Sequence, residues 1–120
     1  MSKKVIDSQQ IAEMLQFIET KEPDVVTAIG LVVEHIHGTY SDKYAKGEEM
    51  GIDTKKMLYH PTKGKSINEY QITRYLQRYV TEGSKKSGLL KDLMKLIHYG
   101  IFEIVRRIRA NQLDMNEPAI

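Results

Sequence analysis

Residues 61–113 hold eleven Lys and Arg against four acids, a net charge of +7, whereas residues 1–34 carry three Lys and six acids, a net of −3. Within the basic half, Arg74 and Arg78 stand four apart, interleaved with Tyr75 and Tyr79, and Lys91, Lys95 and His98 recur at i, i+4, i+7. A guanidinium fork takes phosphate in two-point contacts, while lysine acts as a point charge. Tyrosines beside such cations can stack on a base. If the two helical segments pack antiparallel, both rows line one groove. The candidate ligand set is then Arg74, Arg78, Lys91 and Lys95 on phosphate, Tyr75, Tyr79 or Tyr99 on a base, and Lys63 and Lys65 closing over the top. A solvated helix face with Asp92 and Glu82 as partner acids gives the same pattern, and both readings stay open here.

The Gly64-Lys65-Ser66 triplet has the ending of a phosphate-binding loop, but the first glycine of that motif would fall at Tyr59. The preceding KKMLYHP is too short and interrupted for the strand such a loop follows. Ser66 and Glu69 instead read as a helix-capping box. The exposed N–H groups of that first turn, with Lys63 and Lys65 beside them, still suit an anion. His35 and His37 are two apart and point away from each other on a helix, so no metal site is expected. The acids do not form the clusters of a magnesium-dependent helical pyrophosphatase, and no nucleophile elbow is present. No residue is assigned a catalytic role, and no cofactor is expected.

These candidates need elements to position them. Asp7 and Gln10 form a capping box, and Ile11, Leu15 and Ile18 recur at helical spacing, predicting a helix over 8–20. Pro23 suits a first helical position; Val25, Ile29, Val32 and Ile36 form one stripe, and Gly38 supplies a stop. That segment is rich in β-branched residues, yet its spacing and length favour helix over strand. Residues 38–65 are irregular, with short helical turns expected after Ser41 and after Asp53. A helix from Ser66 to Gly83 carries Ile72, Tyr75, Leu76, Tyr79 and Val80. The longest helix, about 88–110, carries Leu90, Leu93, Ile97, Ile101, Ile104 and Ile108, a stripe to bury against the chain's own helices or a second copy. The expected fold is an all-α, four-helix bundle-like domain over 1–112 with a tail over 113–120.

A chain of 120 residues suits one compact domain, and 41% hydrophobic with 28% charged residues suits a folded one. The absence of cysteine excludes disulfide and thiolate chemistry. The polar start MSKKVIDSQQ is unlike a signal peptide, and no apolar run approaches a membrane span. The expected location is the cytoplasm, with no membrane partner.

Residues 70–99 resemble a family of small phage proteins often labelled "nucleotide kinase". Its signature reads roughly G-N-x-x-K-Y-x-x-R, a short connection containing Lys, then D-L-x-K-A-x-x-Y. In YQITRYLQR, Arg74, Tyr75 and Arg78 fall on the family's Lys, Tyr and Arg; in DLMKLIHY, Asp92, Leu93, Lys95 and Tyr99 match. Tyr70-Gln71 replaces Gly-Asn, and Leu96 replaces Ala. The resemblance implies a phage origin, hence the cytoplasm of an infected or lysogenic bacterial host. It also implies a paired-helix module with basic, aromatic and one acidic position in fixed relation. The kinase label is unsupported, because the phosphate loop is missing. The expectation is a non-enzymatic homo-oligomer binding a small anionic nucleotide, for instance one that signals host defence. The alternatives are a nucleic-acid backbone binder and a protein that inhibits a host enzyme.

Overall fold

The computed structural model describes residues 4–44, 46, 54–82 and 88–117, and among them the chain is all-α with no strand. Helix α1 spans Ser8–Lys21 and α2 spans Pro23–Gly38. The capping box at α1 forms in both directions: Gln10 N–H donates to Asp7 Oδ1 at 2.8 Å, and Asp7 N–H donates to Gln10 Oε1 at 2.9 Å. Pro23 opens α2, where its missing N–H costs nothing. Helix wins over strand in this β-branched stretch.

The α-helix ends at Gly38, as expected, but the chain does not leave the helical path there. The chain stays helical through a π-helical turn at Thr39–Tyr44, with Thr39 at φ −63° and ψ −43°. A glycine ends a helix when the backbone turns left-handed there. Here the Thr39 N–H serves the carbonyls of His35 and Ile36, and its hydroxyl donates to His35 O at 2.8 Å, so the helical path continues.

Helix α3 spans Thr54–Leu58, where a short turn was expected after Asp53. Helix α4 spans Lys63–Glu82 and α5 spans Leu89–Arg109. The expected capping box at Ser66 and Glu69 is overturned, because α4 begins three residues earlier and Ser66 lies inside it. The cap is an imidazole: His60 Nδ1 accepts the N–H of Lys63 at 3.1 Å and that of Thr62 at 3.3 Å. Glu69 pairs instead with Lys65 one turn back, at 3.0 Å. Gly83 and the rest of the 83–87 connection lie outside the described residues. Gly88, at φ 85°, turns the chain into α5 in a conformation other residues avoid.

Helices α4 and α5 form an antiparallel hairpin. Asn68 near the start of α4 meets Glu103 near the end of α5, whereas Arg78 near the end of α4 meets Asp92 near the start of α5. Helix α3 closes the end where α4 begins, α2 leans on α5, and α1 packs on α2. Leu58 of α3 and Phe102 of α5 form the buried core, with Tyr59, Ile67 and Tyr99 packed around them. No residue of α1 or α2 is buried.

The end of the hairpin is locked by a buried charge. Arg106 is 0% exposed and grips Glu103 with two bonds, Nε to Oε1 at 2.6 Å and a terminal nitrogen to Oε2 at 2.8 Å. It also donates to Pro61 O at 2.5 Å and to Gln112 Oε1 at 3.2 Å. Arg107 Nε reaches Glu103 Oε2 at 3.1 Å. These donors hold the Glu103 carboxyl far below its ordinary value, at about 2; the Arg106 hydrogen bond is the largest cause. Gly64 sits against this lock. A Cβ there would run into the Leu58 carbonyl and lie 2.9 Å from Arg106 Cδ. The glycine of the Gly-Lys-Ser triplet is therefore demanded by packing.

Candidate anion-binding site

The hairpin brings together the residues that spacing singled out on its two strands of helix. Arg74 and Arg78 project from successive turns of α4, and Lys95 projects from α5 across from them. All three charges surround the ring of Tyr75: Arg74 Cζ at 5.6 Å, Arg78 Cζ at 5.7 Å and Lys95 Nζ at 5.2 Å from its centroid. Each contact of this kind contributes about 0.5–1 kcal/mol near a surface. The ring itself is buried, at 7% exposure, and stacks on Tyr99 with centroids 6.0 Å apart and planes 15° apart. Tyr99 in turn meets Phe102 edge-on at 5.6 Å, which ties the cluster to the core. Burial, with Tyr75 next, raises the Tyr99 phenol above its ordinary pKa, and Arg74 opposes the rise.

One carboxylate belongs to this group. Asp92 is buried at 8% exposure, with Oδ2 3.6 Å from Arg78 Nε. Three cations and one acid leave the cluster with a local charge of +2. Arg74, Tyr75, Arg78, Asp92, Lys95 and Tyr99 thus all meet in one place.

The other candidates lie elsewhere. Lys91 is one turn from Lys95 but lines a cleft between α2 and α5 with Leu31, Glu34, His35 and Met94. Lys63 and Lys65 stand at the start of α4, and Lys65 is paired with Glu69. Eleven residues of helix separate Lys63 from Arg74, about 16 Å along the axis. They cannot close over the same phosphate. Tyr79 lies one turn beyond Tyr75 on α4 but is more than a third exposed, outside the buried Tyr75–Tyr99 stack. His98, in line with Lys91 and Lys95 by spacing, is not part of a basic row. It is 4% exposed, stacked on Phe102 at 4.2 Å, with His35 edge-on at 5.1 Å and Tyr40 at 6.4 Å. Burial, and then the charge of His35, lowers its pKa to about 4, so it is neutral. His37 is exposed, and among the described residues no three His, Cys, Asp or Glu side chains gather as metal ligands.

A second basic cleft was not anticipated. Lys55 and Lys56 of α3, Arg109 of α5, Tyr40 and Tyr59 line a cavity of about 400 Å³. The two phenols are 3.0 Å apart, Arg109 lies 4.2 Å over the Tyr59 ring, and Lys55 lies 5.3 Å over Tyr40. The clue available in the sequence was the cation-rich helix end RRIRA beside the KKMLY turn. Nothing in the spacing showed that Tyr40, nineteen residues before Tyr59, would join them.

No family model matches the chain, and neither a curated protein nor a solved structure matches it. No helix among the described residues is long and apolar enough to cross a membrane.

Proposed function

We propose that the chain is a non-enzymatic binder of a small phosphate-bearing nucleotide, held by Arg74, Arg78 and Lys95. One observation carries this reading: three cations from two helices converge within 6 Å of a single buried ring, with one carboxylate among them. Like charges held together by a rigid scaffold repel, and a bound phosphate dianion relieves that repulsion. Tyr75 and Tyr99 spend their ring faces on each other and on the cations. Their part is to fix the cations in place, and base stacking by Tyr75 drops out of the scheme. A nucleotide that signals host defence is one ligand of this chemistry.

The test is a thermal-shift and calorimetric screen of pyrophosphate and of mono-, di- and cyclic nucleotides. A ligand of the native state raises the melting temperature by mass action. Saturable binding that is abolished in an Arg74→Ala/Lys95→Ala variant supports the reading, and full affinity in that variant sinks it. Affinity that grows with strand length and falls steeply with salt would mark a nucleic-acid backbone binder instead. Stoichiometric capture of one host protein without nucleotide would mark the inhibitor reading.

The basic cleft favours a second location for the same ligand chemistry. Loss of binding on Arg109→Ala, with Arg74→Ala/Lys95→Ala unaffected, would move the ligand there.

A further inference from the structure

Helix α5 faces the rest of its chain with a side on which polar and apolar residues alternate. Met94, His98, Phe102 and Arg106, four residues apart in turn, are buried toward α2 and α3, and Asp92 is buried toward α4. The opposite side of the same helix carries Leu93, Ile97, Gly100 and Ile104, with Leu90 and Ile108 at its margin. Leu90, Ile97 and Ile104 repeat every seven residues and are 54%, 40% and 52% exposed. A helix this amphipathic normally turns its apolar stripe to the core. Here the stripe is left out of it.

Helix α4 continues the same surface. Its Asn68 and Tyr75 point at α5, and Ile67 points to the core on the α3 side. The helical repeat then sets Ile72, Leu76 and Tyr79 on the side away from α3, beside the outer stripe of its antiparallel neighbour. The result is a two-helix layer with one covered face and one apolar face left open. Arg74, Arg78 and Lys95 surround Tyr75 away from this stripe and keep solvent access, so the open face is separate from the proposed ligand site.

We propose that a second copy of this chain covers this face, the two hairpins packing into a four-helix bundle about a two-fold axis. The face carries no charge along its middle. At the end near the start of α4, Lys65 pairs with Glu69, and Arg107 shares Glu103 with the buried Arg106, so the rim there carries an excess of a single positive charge. A layer of two helices, each about 30 Å long and about 10 Å wide, presents roughly 600 Å², close to the ~800 Å² per partner of a standard stable interface. The chain also has surface to spare. Its accessible area is 9275 Å², against about 6,600 Å² for a compact monomer of its mass. Its radius of gyration is 16.2 Å, where about 14 Å suits its length.

The test is light scattering coupled to size exclusion on the full chain, with helicity followed by circular dichroism. The proposal expects a two-fold mass for the natural chain and a single mass for Ile97→Glu and Ile104→Glu at unchanged helicity. Since a charged variant can unfold, a second arm uses the absence of native cysteine. Ile97→Cys should crosslink to dimers under mild oxidation, whereas Tyr70→Cys, exposed elsewhere on α4, should not. A natural chain that stays monomeric at all concentrations overturns the proposal. So does a monomer that binds lipid vesicles through this face, or equal crosslinking from both cysteines.

Discussion

Arg106 and Glu103, three residues apart on α5, are joined by two hydrogen bonds of 2.6 and 2.8 Å in a site where the arginine has no solvent exposure. Removing one partner of a buried pair leaves the other charge uncompensated, at a cost of about 3–5 kcal/mol. Arg106→Ala should lose stability of that order in urea unfolding. The double replacement Glu103→Leu/Arg106→Met removes both charges and should lose less than the single one. Equal losses would show that the pair is not coupled.

Gly64 gives a prediction against helix propensity. Alanine in a helix interior ordinarily stabilises by about 1 kcal/mol relative to glycine. At this position the added methyl collides with the Leu58 carbonyl and crowds Arg106, so Gly64→Ala should destabilise by about 2 kcal/mol or more. A rise in melting temperature would refute the close approach.

Three groups make stability fall in acid, in two separate ranges. His98 has a lowered folded pKa of about 4, so the unfolded chain takes up its proton first. Its contribution is complete above the unfolded value of 6.5 and is lost as pH falls toward 4, and His35, also lowered by burial, acts in the same direction. Glu103 keeps its contribution above 4.5 and loses it as pH falls toward 2. In His98→Phe the decline between pH 6.5 and 4 should flatten while the lower step remains. An unchanged profile across that upper range would rule out the buried neutral imidazole.

Asp92 holds back the cation cluster. Asp92→Asn removes the carboxylate 3.6 Å from Arg78 and raises the local charge by one. Anion affinity should then rise several-fold and fall off more steeply with salt. Titration with pyrophosphate measures both, and a weaker affinity would show that Asp92 orients Arg78 for its ligand.

His60 caps α4 with its ring nitrogen. His60→Ala should cost about 1 kcal/mol, as the loss of a side-chain cap does elsewhere. Ser66→Ala, inside the helix, should cost little. The reverse order of effects would restore a cap at Ser66.

Periodicity was enough to read the helices, because they are consequences of local repeat. The antiparallel meeting of Arg74 and Arg78 with Lys95 was only a condition of the reading, because the pairing of two helices depends on contacts distant in sequence. Periodicity could not show that Arg106 is buried. RRIRA has the composition of an ordinary cationic helix end, and its burial depends on Pro61 and Gln112 arriving from outside the helix. The start of α4 was misplaced for a similar reason. Ser66 and Glu69 have capping spacing, but His60 reaches the free N–H groups one turn sooner. Lys63 and Lys65 were grouped with the cluster by charge and by their place at a helix start, and helix length separates them.

The absence of any buried side chain in α1 and α2 also has a consequence in time. Local openings of a protein range from nearly free to as costly as complete unfolding, according to what each segment buries. The helices over 8–38 belong at the inexpensive end. Their amides should exchange with solvent through brief, frequent openings, while those around Phe102 and Arg106 wait for the whole hairpin to come apart. The chain then runs on two clocks, with the fast one in its acidic third and the slow one in the basic hairpin.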